Sequence, residues 1–156
     1  MADWSTPLTW DTGRLVTAND LNQQIRDNLL YLKSPPATIL AGASNTTSST
    51  SFVPLTETQN IITTAGGRVL IGAYGYSYRT SGSGPMQVTI ALQIDGGAVG
   101  NAIIVTVPEQ LNNGAPWAML HLTAQLTPAF HTFRLYHRVS GNTGKSDVMQ
   151  FWMLEV

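Results

Sequence analysis

The sequence predicts a mainly β protein, a jelly-roll-like β-sandwich with a short N-terminal arm and one α-helix. Three observations predict it. Apolar and polar residues alternate with period two from about residue 51 onward, the mark of half-buried strands. Turn-forming clusters punctuate the alternating runs at regular intervals, as in sandwiches and jelly rolls. A single stripe with helical spacing occupies residues 17–33, which separates an arm-and-helix segment, 1–36, from the β region.

The elements follow in order. Residues 1–16 have no periodicity and contain Trp4, Pro7, Trp10 and Gly13. They read as an extended arm with aromatic anchors, which either dock on a partner or fold back on the chain's own core. In TANDLNQQIRDNLLYLK, Thr17 caps the helix and Asp20 completes a capping box. Val16 and Leu21 take the hydrophobic-staple positions. Leu21, Ile25, Leu29 and Leu32 then make one apolar stripe, and Pro35-Pro36 ends the helix. A helix this short is marginal alone, so the stripe is expected to dock on the β domain, on sister helices or on a further protein. Alternating 3 and 4 spacing over Ala18, Leu21, Ile25, Asn28 and Leu32 also allows a coiled-coil seam, in which Asn28 would set register. Residues 37–50, rich in Ser, Thr and Asn, read as a linker, with Thr38–Ala41 as a candidate first strand.

The sandwich is expected over 51–156. In MQVTIALQID, Val88, Ile90, Leu92 and Ile94 share one face, Asp95-Gly96-Gly97 turns the chain, and AVGNAIIVTV returns as the second arm of a hairpin. WAMLHLTAQL alternates Leu120, Leu122, Ala124 and Leu126 against His121, Thr123 and Gln125. HTFRLYHRV and SDVMQFWMLEV, with SFVPLT and GRVLIGAYGYSYRT, bring the count to seven or eight strands. Two strands lack a polar face. In the last, Met149, Phe151 and Met153 form one apolar set and Val148, Trp152 and Leu154 the other. In GRVLIGAYGYSYRT, Tyr74, Tyr76 and Tyr78 lie opposite Val69 and Ile71. Strands apolar on both faces are covered on both, and a second subunit is the simplest cover for one sandwich. A helix or arm of the same chain is the other.

Composition narrows the function classes. Charged residues are 11% of the chain against about 25% on average, and net charge is −1. That is no electrostatic footprint for nucleic acid or for an anionic membrane. There are no cysteines, so thiolate catalysis and Cys-based zinc sites are excluded. No apolar run of about 18 residues occurs, and the N-terminus lacks the pattern of a signal peptide. His121, His131 and His137 sit on separate predicted strands without metal-ligand spacing. The acids are dispersed, and no phosphate loop or nucleophile elbow is present. The aromatics Trp117, Phe133, Tyr136 and Trp152 have the chemistry to stack sugars, but on alternating strands they read as core or interface. The expectation is a non-enzymatic protein with no cofactor and no metal.

The segment WSTPLTWDTGRLVTANDLNQQIRDNLLYLK resembles an N-terminal element of tailed-bacteriophage structural proteins. The resemblance rests on Thr6, Pro7, Thr9 and Trp10, then Val16, Thr17 and Ala18, then Leu21, Asn22, Ile25, Arg26, Asp27, Asn28 and Leu29, about one fifth of the chain. It marks phage particles without separating head from tail. The C-terminal part resembles, at fold level, trimeric jelly-roll heads of phage fibres and decoration proteins. These resemblances imply a virion protein, made in the bacterial cytoplasm, that trimerises and binds the major capsid protein or tail proteins. Attachment and oligomer contacts fall on Trp4, Trp10, Leu21, Ile25, Asn28, Leu29, Leu32, Tyr74, Tyr76, Tyr78, Met149, Phe151 and Met153. With no shaft repeat visible, a compact capsid decoration protein is expected ahead of a tail-fibre or receptor-binding module for a host surface ligand.

Overall fold

A computed structural model describes residues 5–33, 35 and 37–156. The helix comprises α1 (Ala18–Leu21), a π-helical stretch (Asn22–Asp27) and α2 (Asn28–Lys33). Its start is as the sequence predicts: Asp20 N–H donates to Thr17 Oγ1 at 3.1 Å, and Thr17 N–H donates to Asp20 Oδ2 at 3.0 Å. The π-helical stretch is a departure from the regular α-helix expected.

Nine strands follow among the described residues: β1 (Ala37–Thr47), β2 (Val53–Pro54), β3 (Asn60–Thr63), β4 (Val69–Ser81), β5 (Met86–Ile94), β6 (Gly100–Val107), β7 (Ala115–Leu122), β8 (Phe130–Val139) and β9 (Thr143–Glu155). One sheet has the order β1-β9-β4-β7; the other runs β2-β8-β5-β6, with β3 also on β8. Every pairing is antiparallel. Because β2 and β3 both pair with β8, they are two halves of one strand interrupted by a turn at Glu57, whose φ is +69°. Counted so, eight strands visit the sheets as 1-8-3-6 and 2-7-4-5, the double Greek key of a jelly roll.

Most predicted strands form where the alternation placed them, and the β5–β6 hairpin turns at Asp95 and Gly96, with φ of +50° and +69°. The Ser/Thr-rich stretch is strand rather than linker from Ala37 to Thr47. As an edge strand it needs only one apolar face, and Ala43 and Thr47 are its buried residues. In β7 the inward set is Trp117, Met119 and then Thr123, so Leu120 and Leu122 face outward. Thr123 Oγ1 accepts from Val69 N–H at 2.9 Å, which gives its inward hydroxyl a partner.

The last strand corrects a sequence expectation. Opposite β4, Gln150 pairs with Tyr74 and Val148 with Gly75, leaving Met149 as an extra residue. This bulge switches the inward parity from Gly144, Ser146 and Val148 to Phe151, Met153 and Glu155. Phe151 and Met153 are therefore core residues beside Ile71, Leu135 and Phe133, and not interface residues.

Candidate functional site

The bulge leaves Trp152 and Leu154 on the outer face of the β1-β9-β4-β7 sheet. Register builds two apolar rows across that face. Ile39 lies opposite Trp152, which lies opposite Gly72, which lies opposite Leu120. Beside it run Ala37, Leu154, Leu70 and Leu122. The indole of Trp152 covers Gly72, where any Cβ would collide with the ring. Ile39 is 62% exposed and Leu120 70%. The two rows together place apolar side chains side by side across all four strands of the sheet.

The far half of the face is more polar. Tyr74, Tyr76 and Tyr78 project from β4 on this side, as the alternation predicts. Tyr74 and Tyr76 are exposed, as is Met149 at the bulge. Tyr78 is tied down: its hydroxyl donates to Asp147 Oδ2 at 2.7 Å, and Lys145 lies over its ring. Ser44 Oγ donates to Asp147 Oδ1 at 2.6 Å. Burial raises the Asp147 pKa, but the donors Ser44 and Tyr78 and the charge of Lys145 outweigh it, and the net direction is down.

The arm and helix make the second surface. Asn28 is 6% exposed and clasps the arm: its Oδ1 accepts from Ser5 N–H at 2.9 Å and its Nδ2 donates to Ser5 O at 3.1 Å. Leu8 N–H donates to Gln24 Oε1 at 2.7 Å. With its amide engaged by the chain's own arm, Asn28 does not face a coiled-coil seam, a further correction. Trp10 packs near Pro7, Leu21 and Ile25 around a groove of about 340 Å³, with Arg14 over its ring. The arm thus folds onto the helix rather than onto the sandwich core. Trp4, the other predicted anchor, lies outside the described residues. Along the stripe, Leu21, Ile25, Leu29 and Leu32 are all exposed, Leu32 by 64%.

The three histidines are not brought together. His121 meets Asn101 at 3.3 Å. Burial opposes charge on His131, but Asp95 at 2.6 Å and the Thr127 carbonyl at 2.9 Å outweigh it, and its pKa is raised. His137 is buried against Ser146 Oγ at 3.1 Å, and burial pushes its pKa down to about 4. Among the described residues no group of three or more His, Cys, Asp or Glu side chains is placed to hold a metal ion. Trp117 and Phe133 are buried in the core, while Tyr136 and Trp152 are half-buried on outer faces.

Sequence reasoning missed Ile39, Leu70, Leu120, Leu122 and Leu154 as surface residues. The signal was present in the alternation of β7, which places Leu120 and Leu122 together opposite Trp117 and Met119.

The fold and its surfaces thus define a jelly-roll sandwich with, among the described residues, apolar side chains exposed on one sheet face and along one side of the helix. No family model and no curated protein matches the chain. Among solved structures it is similar to TmCBM61 in complex with beta-1,4-galactotriose, at TM-score 0.39 and 9% identity over 79% of this chain and 90% of that one. It is also similar to the bacteriophage CBA120 tailspike protein 4 enzymatically active domain, at TM-score 0.30 and 11% identity over 77% of this chain and 19% of that one. Overlaps this loose say nothing about what this chain binds.

Proposed function

We propose that this chain is a non-enzymatic structural protein of a bacteriophage particle, a capsid decoration protein. Copies associate through the outer face of the β1-β9-β4-β7 sheet and attach through the arm and helix. The observation that carries this reading is the apolar row Ile39, Trp152, Leu120 with its neighbours Leu154, Leu70 and Leu122, of which Ile39, Leu120 and Leu122 stay exposed among the described residues. A patch of this kind is stable in water when a second apolar surface lies on it. Phage origin and the number three come from the N-terminal and jelly-roll resemblances. Three linked attachment segments make individually weak contacts cumulatively tight, which suits a shell protein.

A second reading, a tail-fibre or receptor-binding module, has one observation in its favour. Exposed Tyr74 and Tyr76 stand on the same face as Gln150 and Asp147, a combination of stacking rings and hydrogen-bonding groups. Immunogold labelling of intact particles separates the two. Gold on heads is the expected result; gold at the tail tip supports the second reading, and particles without gold contradict both.

A further inference from the structure

The outer face of the β2-β8-β5-β6 sheet carries a cavity of about 190 Å³. Strand register builds it. Val88 and Ile90 of β5 point into the core, so the alternating Gln87 and Thr89 point outward. Thr89 pairs with Ile104 of β6 on one side and with Arg138 of β8 on the other. Gln87 is joined to the chain just past β8. Ser140 N–H donates to its carbonyl at 2.9 Å, and its own N–H donates to Ser140 Oγ at 3.0 Å. Thr89 is only 8% exposed and forms the floor, with Thr50 closing the lining beyond Arg138 and Ser140.

The polar groups of this lining are unspent. Arg138 is positioned by one contact, its Cζ lying 4.8 Å from the centroid of the Phe52 ring. A guanidinium over an aromatic ring keeps the N–H donors in its plane available. Among the described residues, no carboxylate pairs with Arg138 and no acceptor takes its donors. The hydroxyls of Thr50 and Thr89 and the side-chain amide of Gln87 likewise have no partner there, and Ser140 Oγ keeps its proton to donate. No carboxylate lines the cavity. This set selects a ligand class. The guanidinium fork matches a carboxylate through two parallel hydrogen bonds. One positive charge balances the single charge of a carboxylate, whereas a phosphate monoester carries close to two at neutral pH. The hydroxyls and the amide both donate and accept, as sugar hydroxyls require. Ile104, 65% exposed, offers an apolar surface to the C–H face of a ring. The volume is below the roughly 300–1,000 Å³ of sites for drug-sized molecules, which limits the occupant to about one ring.

We propose that this cavity binds one carboxylated sugar unit of an acidic polysaccharide, with Arg138 taking the carboxylate and Gln87, Thr89 and Ser140 the ring hydroxyls. The site lies on the opposite sheet from Leu120 and Trp152, so it stays open when copies associate through that other face. It does not rest on the reading of the chain as a decoration protein.

Saturation-transfer difference NMR on the full-length chain tests it, with the methyl glycosides of glucuronic acid, galacturonic acid and glucose, and with acetate, as probes. At least one uronide should bind about tenfold or more tightly than the glucoside and than acetate. Arg138→Gln should weaken that uronide about tenfold or more, and Thr89→Val about threefold, while thermal melting of Arg138→Gln barely moves because the side chain is exposed. Leu120→Asp, on the other sheet, should leave the affinity unchanged. Uronides that bind no better than the glucoside, or that bind Arg138→Gln as well as the native chain, overturn the site. Acetate binding as tightly as the best uronide overturns the sugar. Loss of binding in Leu120→Asp overturns its placement on the far sheet.

Discussion

Acidification should weaken this protein through one buried side chain, His137. Its ring is 1% exposed between the sheets, with Nδ1 at 3.1 Å from Ser146 Oγ, which itself lies 3.2 Å from Ser77 Oγ. The two hydroxyls can hydrogen-bond a neutral imidazole, its hydrogen-bond partner is the Ser146 hydroxyl rather than an acid, and burial lowers its pKa from 6.5 to about 4. Above the unfolded value the ring is neutral in both states and imposes no penalty. As pH falls below it, the unfolded chain takes the proton first, so stability declines until the folded pKa is reached. At about 1.4 kcal/mol per unit, the loss approaches roughly 3 kcal/mol near pH 4 and then levels off. His131 works the other way: its raised pKa adds stability below its unfolded value, lost as pH rises through the folded value. The His137 part is isolated by urea unfolding of the native chain and of His137→Gln at matched concentration, at about pH 7.5 and about pH 4.5. The advantage of the native chain should shrink by about 2.5 kcal/mol between the two. An advantage independent of pH would refute the assignment of a neutral, desolvated imidazole.

Other expectations follow from the same structure. Leu120→Asp changes an exposed residue of the single chain, so the fold should lose about 0.5 kcal/mol or less. It should nonetheless dissociate the assembly; an unchanged mass in light scattering would remove the sheet face from the interface. Phe151→Ala should cost about 3–5 kcal/mol of folding stability, whereas Met149→Ala should leave the fold within about 0.5 kcal/mol and weaken only the oligomer. Equal costs in denaturant titrations would mean the bulge does not set the faces of β9. Asn28→Ala removes the clasp on the arm, and the Ser5 amide should exchange with solvent about tenfold faster by hydrogen–deuterium exchange. Unchanged protection would place the hold on the arm elsewhere.

Much of the fold was legible in the residues. The Thr17–Asp20 box, the hairpin at Asp95-Gly96 and the outward tyrosines of β4 follow from local chemistry that tertiary packing did not override. Three features were not legible, each for a physical reason. β1 reads as a linker because an edge strand needs few apolar residues, and Ala43 and Thr47 supply most of its buried surface. β7 is amphipathic in both senses, so alternation alone cannot say whether the leucines or Trp117 and Met119 turn inward; packing of the larger side chains decided it. In β9 the parity changes at Met149, and no residue there announces a bulge, so Phe151 and Met153 read as partners of Met149. Apolar residues exposed on this sheet face include Ile39, Leu120, Leu122 and Met149, while Trp152 and Leu154 are half-buried.

The solution mass of the purified full-length protein is the most direct test of the claim that copies of this chain cover one another's exposed sheet. Multi-angle light scattering should give about three times the 16.8 kDa of one chain across a tenfold dilution, and Leu120→Asp should return the single-chain value. A native protein that runs at 16.8 kDa at every concentration would contradict it.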